Sequence, residues 1–416
     1  TSSLQYQTTG QQNSALGYAT LYCNTLGMQN VAVGYRAMCL NTEGHENTAV
    51  GSYALENNTT AIRNTALGKQ ALNKNTTGQC NTAVGAQAMC LNTTGRDNVA
   101  VGMNSMLQNT TGCNNTAVGT SVMFSNTTGQ NNVAFGSSAL YCTTTGLYNV
   151  ALGARSLYNN TIGGCNVGVG GCTLDSNTTG GTNTAIGWYS QRANTTGCGN
   201  TSLGSRTLIS ATSAQCNTAV GNGAMLSITT GSCNVAFGAS ALSAVTTNRR
   251  NTAIGYYASL SVTGSDNVAV GTMAMRGIPT ESTATKNVAI GFQSMCSITT
   301  GCGNVAMGWD SFKNNTTGCR NIAIGMAALE RSIAASNSVA IGYSALSDST
   351  VSGIAIGSYA LGLNTTGTGN IAIGGSALCV NTTGLSNVAI GNTAMQYNTT
   401  GSENTAVGYR ASLCNT

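Results

Sequence analysis

Residues 81–97 are NTAVGAQAMCLNTTGRD, and residues 98–114 are NVAVGMNSMLQNTTGCN. The pattern begins 24 times along the 416 residues, and 20 of the 23 intervals between starts are 17 residues long. We number the positions of this unit from 0, at its first Asn. A short fixed period is typical of repeat proteins whose units stack on their neighbours. The sequence therefore predicts one elongated domain over residues 1–416, with irregular coils at 251–286 and 338–352.

Two apolar segments in each unit predict short β-strands. Position 3 is apolar in all 24 copies, and position 8 is Leu, Met or Phe in 21 of them. Position 4 is Gly in every copy, which indicates a corner and would weaken a helix. We predict an all-β fold, a parallel β-solenoid or β-roll of about 24 coils with two short strands per coil. At about 4.8 Å per coil the rod would be roughly 115 Å long.

The strand at positions 1–3 has two faces, and one of them must line the interior. Position 2 is Ala in 22 of 24 copies and points away from positions 1 and 3. We expect Val84 and Met89 to fill the core, which leaves Ala83 and its equivalents as an outward packing face for another copy. The opposite assignment, with Ala inside a very thin coil, stays open. The Asn at position 0 is expected to form an amide ladder along the stack.

Sixteen cysteines accompany a single histidine and no C-x-x-C pair, which does not indicate a zinc site. Equivalent residues of stacked coils would lie about 4.8 Å apart, within the Cα separation of about 4.4–6.8 Å that a disulfide allows. Free buried thiols are the alternative. Disulfides would indicate an extracellular setting or a cell or virion surface. The candidate pairs are Cys302 with Cys319, Cys23 with Cys39, and Cys216 with Cys198 or Cys233; that trio leaves one thiol for a bond between chains.

The N-x-[ST] tripeptide marks candidate N-glycosylation sites at one corner of the unit. Eleven copies begin an NTT at position 11, which we take to be an exposed turn. These candidates are Asn58, Asn75, Asn92, Asn109, Asn126, Asn177, Asn194, Asn315, Asn364, Asn381 and Asn398.

The segments NVAVG at 98–102, NTAIG at 251–255 and NVAIG at 387–391 resemble the N-x-A-[VI]-G repeats of YadA-type head domains. Those domains belong to trimeric autotransporter adhesins, and similar runs occur in phage and large-virus fibre proteins. The resemblance covers nearly the whole chain. It implies a left-handed parallel β-roll, commonly trimeric, in a surface fibre that adheres to a host. The unit here is longer than the family's by its NTTG corner and richer in cysteine.

Several function classes find no support in the composition. Charged residues make up 6% of the chain and the net charge of +5 is spread thinly, so no nucleic-acid face is indicated. No apolar run is long enough to span a membrane. No residues have the spacing of a catalytic triad or an acid–base pair, and the sequence indicates neither a metal site nor a cofactor. The loop around Pro279 is a candidate contact site. Because the chain starts partway through a unit, we expect it to be a segment of a longer protein.

The sequence thus predicts a non-enzymatic structural fibre or filament outside the cell, stapled by disulfides and carrying sugars. Its expected partners are copies of itself, as a trimer or an end-to-end filament, and a host surface or its glycans. One alternative is an adhesin or a viral or phage fibre that binds a host. The other is an ice-binding β-solenoid, since flat Thr arrays can match ice. Position 1 is Thr in only 9 of 24 copies.

Overall fold

The computed structural model describes residues 3–278 and 282–413. It consists of two compact units, Thr1–Ala214 and Gln215–Thr416. The described residues of each unit form short β-strands joined by turns, without a helix. The predicted all-β parallel β-solenoid with a repeat of about 17 residues is confirmed.

Each coil contributes one strand of three or four residues. In the first unit the strands are β1 Ser14–Leu16, β2 Val31–Val33, β3 Thr48–Val50, β4 Thr65–Leu67, β5 Thr82–Val84, β6 Val99–Val101, β7 Thr116–Val118, β8 Val133–Phe135, β9 Val150–Leu152, β10 Val167–Val169, β11 Thr184–Ile186 and β12 Thr201–Leu203. In the second unit they are β13 Thr218–Val220, β14 Val235–Phe237, β15 Thr252–Ile254, β16 Val268–Val270, β17 Val288–Ile290, β18 Val305–Met307, β19 Ile322–Ile324, β20 Val339–Ile341, β21 Gly353–Ile356, β22 Asn370–Ile373, β23 Val388–Ile390 and β24 Thr405–Val407.

Within each unit, successive strands pair in parallel and in register. Ala83 of β5 lies opposite Ala100 of β6, which in turn lies opposite Ala117 of β7. The Thr82 amide donates to the Asn98 carbonyl of the next coil at 2.8 Å. Equivalent residues therefore form continuous columns along each stack.

The second apolar segment of each coil is a hydrogen-bonded ribbon of turns rather than a strand. Gln87 and Met89, at positions 6 and 8, have φ values of 58° and 49°. These left-handed dihedrals are incompatible with an extended strand. The ribbon is still bonded between coils, because the Met89 amide donates to the Ser105 carbonyl at 2.9 Å. The expectation of two strands per coil thus gives way to one strand and one ribbon.

The interior of the coil is lined by Ala on one side and Leu or Met on the other. Ala83, Ala88 and Met89 are fully buried, whereas Val84 is half-buried on the outer face. Phe237, a bulky residue at position 3, is 57% exposed. The prediction that Val84 fills the core and Ala83 faces outward is therefore wrong, and the thin-coil alternative is correct. Since the position-8 side chain already fills the interior, the opposite wall has room only for a methyl group.

Two physical constraints require Gly at position 4, and Gly85 illustrates both. Its φ is +132°, a conformation that residues with a side chain rarely adopt. A Cβ atom there would also lie 2.6 Å from the carbonyl carbon of Gly102 in the next coil. The corner therefore brings backbone against backbone in successive coils.

A pair of substitutions in β5 tests which face of the strand is inside. We expect Ala83→Val to destabilise its coil by about 1–3 kcal/mol, because it overpacks a closed interior. Val84→Thr on the outer face should cost under about 0.5 kcal/mol. Hydrogen exchange over residues 64–114 measures both effects locally. The assignment fails if Val84→Thr is the more damaging change.

Candidate functional site

The most regular feature of the chain is a ladder of buried Asn side chains at position 0. Asn98 Nδ2 donates to Asn81 Oδ1 in the preceding coil at 3.1 Å, and the Asn98 backbone amide donates to the same oxygen at 3.1 Å. Asn98 Nδ2 also donates to the Gly112 carbonyl at 2.8 Å. Each amide group thus finds partners in two coils, as the sequence predicts for this position.

A second ladder runs through the Asn residues at position 11. Asn92 Nδ2 donates to Asn75 Oδ1 in the preceding coil at 2.7 Å and to the Gly95 carbonyl at 3.0 Å. Asn81 Nδ2 donates to that same Gly95 carbonyl at 2.8 Å. One glycine carbonyl in this coil therefore joins the two ladders.

The close contact at this junction explains the Gly of the NTTG sequence. A Cβ atom on Gly95 would lie 2.4 Å from Asn92 Oδ1 and 2.5 Å from the Gly112 carbonyl oxygen. A side chain at this position would therefore require the Asn92 amide to shift, although Ala61 and Ala214 show that other coils accommodate a methyl group at position 14. The Asn and the Gly of this NTTG corner are thus packed inside the stack, while its second Thr is exposed.

The eleven candidate glycosylation sites are consequently not exposed. Every one of them is fully buried. In Asn92, the Nδ2 atom that would carry a sugar already donates two hydrogen bonds inside the coil. The premise of an exposed corner is wrong, because Asn at position 11 points inward while the following Thr residues form the surface. The residues are Asn58, Asn75, Asn92, Asn109, Asn126, Asn177, Asn194, Asn315, Asn364, Asn381 and Asn398.

The position-11 ladder is interrupted where the column changes residue type. In the second unit Ile228, Val245, Val262 and Ile298 are fully buried, and they replace Asn with apolar side chains. Buried amide atoms lose their partners at the borders of the Asn runs. Examples of such atoms without a hydrogen-bond partner are Asn126 Oδ1, Asn194 Oδ1 and Asn315 Nδ2.

This grouped replacement is a signal that sequence reasoning missed. An exposed sequon has no reason to be replaced by Ile or Val in neighbouring coils. A buried column does, because one amide between two apolar neighbours would lack partners along the stack. The absence of NTT from residues 200–300 therefore marks an apolar section of the column.

Buried polar residues also occur in the core of the first unit, where Gln191 takes the place of Leu or Met at position 8. Gln191 Nε2 donates to Ser202 Oγ at 2.8 Å, and Ser202 replaces the usual Ala at position 2. Ser190 Oγ is 2.8 Å from Thr207 Oγ1. These exceptions to the apolar pattern therefore contact one another, so each supplies a partner for the next.

The outer face of the strands is apolar at position 3 in every copy, whereas position 1 is Thr in 9 of 24 copies. Positions 1 and 3 hold no charged residue in any copy. Position 5 adds exposed aromatic side chains, of which Trp188 and Trp309 are 54% and 58% exposed. Other exposed side chains of this face are Leu16, Val50, Leu67, Leu203, Ile254, Met307, Ile324, Ile356, Ile373, Ile390 and Val407. We call positions 1, 3 and 5 together the outer strand face.

Aromatic side chains also stack from coil to coil beside the turn ribbon. The rings of Phe124, Tyr141 and Tyr158 lie 5.0 and 5.1 Å apart and are nearly parallel. The Arg155 guanidinium lies 4.6 Å from the Tyr158 ring centre and contacts Asp175 at 3.1 Å. These contacts link adjacent coils, so they serve the stacking itself.

All fifteen described cysteines are free thiols in this structure, and Cys414 lies outside the described residues. Burial raises the pKa of the Cys39 thiol, although the nearby Arg36 opposes the shift. The Cys23 amide donates to the Cys39 carbonyl at 2.9 Å, so their backbones are neighbours. Cys216 and Cys233 are both exposed in the second unit, and Cys198 is exposed in the first. Disulfide pairing stays a prediction.

Several cysteines at position 15 take the role that Ser takes in other coils. Cys198 Sγ accepts a bond from the Gly181 amide at 3.5 Å and donates to the Thr196 carbonyl at 3.3 Å. Ser402 makes the equivalent bonds, accepting from the Leu385 amide at 2.9 Å. The side chain at position 15 thus caps an amide of the preceding coil.

Open clefts lie on the surface of the described residues. One cleft of about 340 Å³ is lined by Tyr18, Cys23, Arg36 and Cys39. Another, of about 240 Å³, lies beside Gly353, where the short coil 338–352 ends. In the described residues no group of three His, Cys, Asp or Glu side chains is placed to hold a metal ion.

Two further expectations from the sequence concern the loop around Pro279 and the lack of a membrane-spanning segment. Pro279, the centre of the candidate contact loop, lies outside the described residues. Among those that are described, no helix has the length and apolarity needed to cross a membrane.

No protein-family model matches the chain, and no curated protein matches it either.

A substitution to Asn should have opposite effects in two coils that differ in their neighbours at position 11. Thr143 is buried, its Oγ1 has no hydrogen-bond partner, and neither has the adjacent Asn126 Oδ1. We expect Thr143→Asn to complete the ladder and stabilise the stack by about 1 kcal/mol. Ile228→Asn, which places an amide beside Val245, should destabilise it by about 1–3 kcal/mol. Local hydrogen exchange measures both, and equal effects would contradict the ladder.

The burial of the position-11 amides also predicts the outcome of a sugar assay. We expect peptide mapping of folded protein from glycosylating eukaryotic cells to find no N-linked sugar, and so no glycosidase-dependent mass change, at the eleven position-11 sites. The reason is that Asn92 and its equivalents have no room for a sugar on Nδ2. A mass loss that maps to any of the eleven sites would overturn the buried-ladder assignment.

Proposed function

We propose that the chain is a non-enzymatic structural segment of an extracellular fibre, built by self-association of its outer strand face. The observation that carries this proposal is the apolar character of position 3 on that face. Position 3 is apolar in all 24 copies and points outward. Without a core requirement there, solvent exposure alone would allow polar residues at some copies.

The partner of such a face must match its axial spacing. Strands in register present one apolar row per coil, about 4.8 Å apart. A second copy of this chain presents rows with the same spacing and the same apolar side chains at position 3, so side chains of the two copies interdigitate along the contact. The exposed aromatic residues at position 5 widen the contact.

The inside of the coil supports a mechanical role. Asn ladders bond successive coils wherever Asn recurs at positions 0 and 11, and the buried Ala and Leu or Met side chains pack between coils. Repeat stacks of this kind resist bending because each coil is fixed by both neighbours. The resemblance to YadA-type heads supports the same proposal, and its trimeric arrangement is one form that the self-association can take.

An adhesin or a viral or phage fibre is the alternative within the same architecture. Its supporting feature is the set of exposed aromatic side chains, such as Trp188 and Tyr256, which are 54% and 47% exposed. Aromatic rings with one free face bind apolar faces of ligands, host glycans included. Binding to host surfaces in the absence of self-association would favour this alternative.

Ice binding keeps one specific observation in its favour. Thr48, Thr65 and Thr82 lie on adjacent in-register strands of the outer strand face. Val interrupts this column in the coils that follow, beginning with Val99. Thermal hysteresis in a purified sample would favour this function over the structural one.

Lysine substitutions on two sides of the same coils test the proposal. We expect Val84→Lys, Val101→Lys and Val118→Lys together to abolish self-association, because they place charge on the outer strand face. The control carries Lys at Thr94, Thr111 and Thr128, which are exposed at the other side of those coils. It should still associate. Light scattering gives the mass in solution, and electron microscopy shows whether fibres form.

Two results would contradict the proposal. A wild-type chain that stays monomeric at high concentration and forms no fibre would overturn it. So would loss of association in the control variant, since that would place the contact elsewhere. Labelling with an antibody on unbroken cells or particles tests the surface location.

A further inference from the structure

We propose that Cys302 and Cys319 form a redox-sensitive disulfide that staples two adjacent coils of the second unit. Both thiols occupy position 15 of their coils, and both are half-buried, so small reagents can reach them. The staple is independent of the outer strand face, and its failure would leave the proposed function untouched.

The backbone already holds the two residues side by side. The Cys302 amide donates to Cys319 Sγ at 3.1 Å, and the Arg320 amide donates to the Cys302 carbonyl at 2.9 Å. These bonds bracket the pair from both sides. Coil spacing of about 4.8 Å falls inside the Cα separation of about 4.4–6.8 Å found for disulfides.

The two side chains are in contact as well. A hydrogen bond to the Cys319 thiol raises the pKa of the Cys302 thiol, as does burial, while Arg320 and Lys286 oppose the rise. The Cys319 thiol also points toward the Thr317 carbonyl, 3.7 Å away.

The simpler role of Cys319 is that of a cap, which Ser fills elsewhere. In the next coil Ser336 Oγ accepts the Cys319 amide at 3.0 Å, as Cys319 accepts the Cys302 amide. Capping of the Cys302 amide accounts for the thiol of Cys319. It does not explain a second cysteine at position 302, whose sulfur lies next to the first.

The oxidation is a thiol–disulfide exchange with a small disulfide such as oxidised glutathione. One cysteine thiolate attacks a sulfur atom of glutathione disulfide and displaces one glutathione thiolate. The second cysteine thiolate then attacks the protein sulfur, closes the Cys302–Cys319 bond and displaces the other glutathione thiolate. The two protein thiols lose two electrons and their protons, and one glutathione disulfide becomes two thiols.

Peptide mapping of the full chain tests the staple. After incubation with oxidised glutathione, trypsin should release peptide 287–313 linked to peptide 314–320, with a mass lower by two hydrogen atoms than the sum of the separate peptides. Fragmentation assigns the link to Cys302 rather than Cys296. Dithiothreitol should separate the peptides. Mixing isotope-labelled and unlabelled chains should give no mixed pair, because the bond lies within one chain.

Two variants distinguish disulfide formation from capping of the Cys302 amide. Cys319→Ser keeps an acceptor for the Cys302 amide, so it should fold and melt like the reduced wild type, but oxidation should no longer raise its melting temperature. Cys113→Ser, a position-15 change without a cysteine in the next coil, should keep the oxidative rise. Separate alkylation of Cys302 and Cys319 after oxidation, or a link to Cys296, would overturn the proposal.

Discussion

The thinness of the coil interior is the constraint on which the rest of the structure depends. A row of Leu or Met side chains at position 8 fills the space, and the opposite wall accepts only the methyl group of Ala. The interior is therefore too small for polar side chains to be hydrated. Any amide group that enters it must find its partners in the backbone or in the same residue of the next coil.

The two Asn ladders solve this problem in a way that makes the coils dependent on one another. In Asn98, each polar atom of the side chain is bonded along the stack or to the corner of the coil. A single coil would leave these atoms without partners, so the interaction that satisfies them is also the one that stacks the chain. The borders at Asn126 and Asn194 show the cost, since an amide oxygen remains unpaired where the next coil holds another residue.

Much of this arrangement could be predicted from the sequence, because period and register follow from repetition. The 17-residue spacing, the Gly at position 4 and the Asn column at position 0 all indicated stacked parallel coils. Strand alternation fixed that Ala83 and Val84 point opposite ways, but it could not decide which of them is inside. That depends on the volume left by Met89 and on the left-handed ribbon that positions it, and neither is visible in a pattern of apolar residues. The expected exposure of the eleven sequon asparagines was wrong for a related reason, since Asn favours turns whether its side chain faces solvent or a ladder.

The turned-out strand face changes how the surface is understood. In an ordinary half-buried sheet, the β-branched residues at positions 1 and 3 would form the core, and the small residues would lie outside. Here the order is reversed, so the apolar side chains at position 3 face outward, and positions 1 and 3 carry no charge. The few charges sit at the ribbon and the corners, where pairs such as Arg155–Asp175 and Arg331–Asp348 join neighbouring coils. The hydrogen-bonding groups that connect the coils are thus paired within the stack. The apolar surface that remains exposed lies on the side of the stack. Burial of this lateral surface against a partner would lower the free energy of the chain. The outer strand face, rather than the asparagines, therefore supports the proposed function.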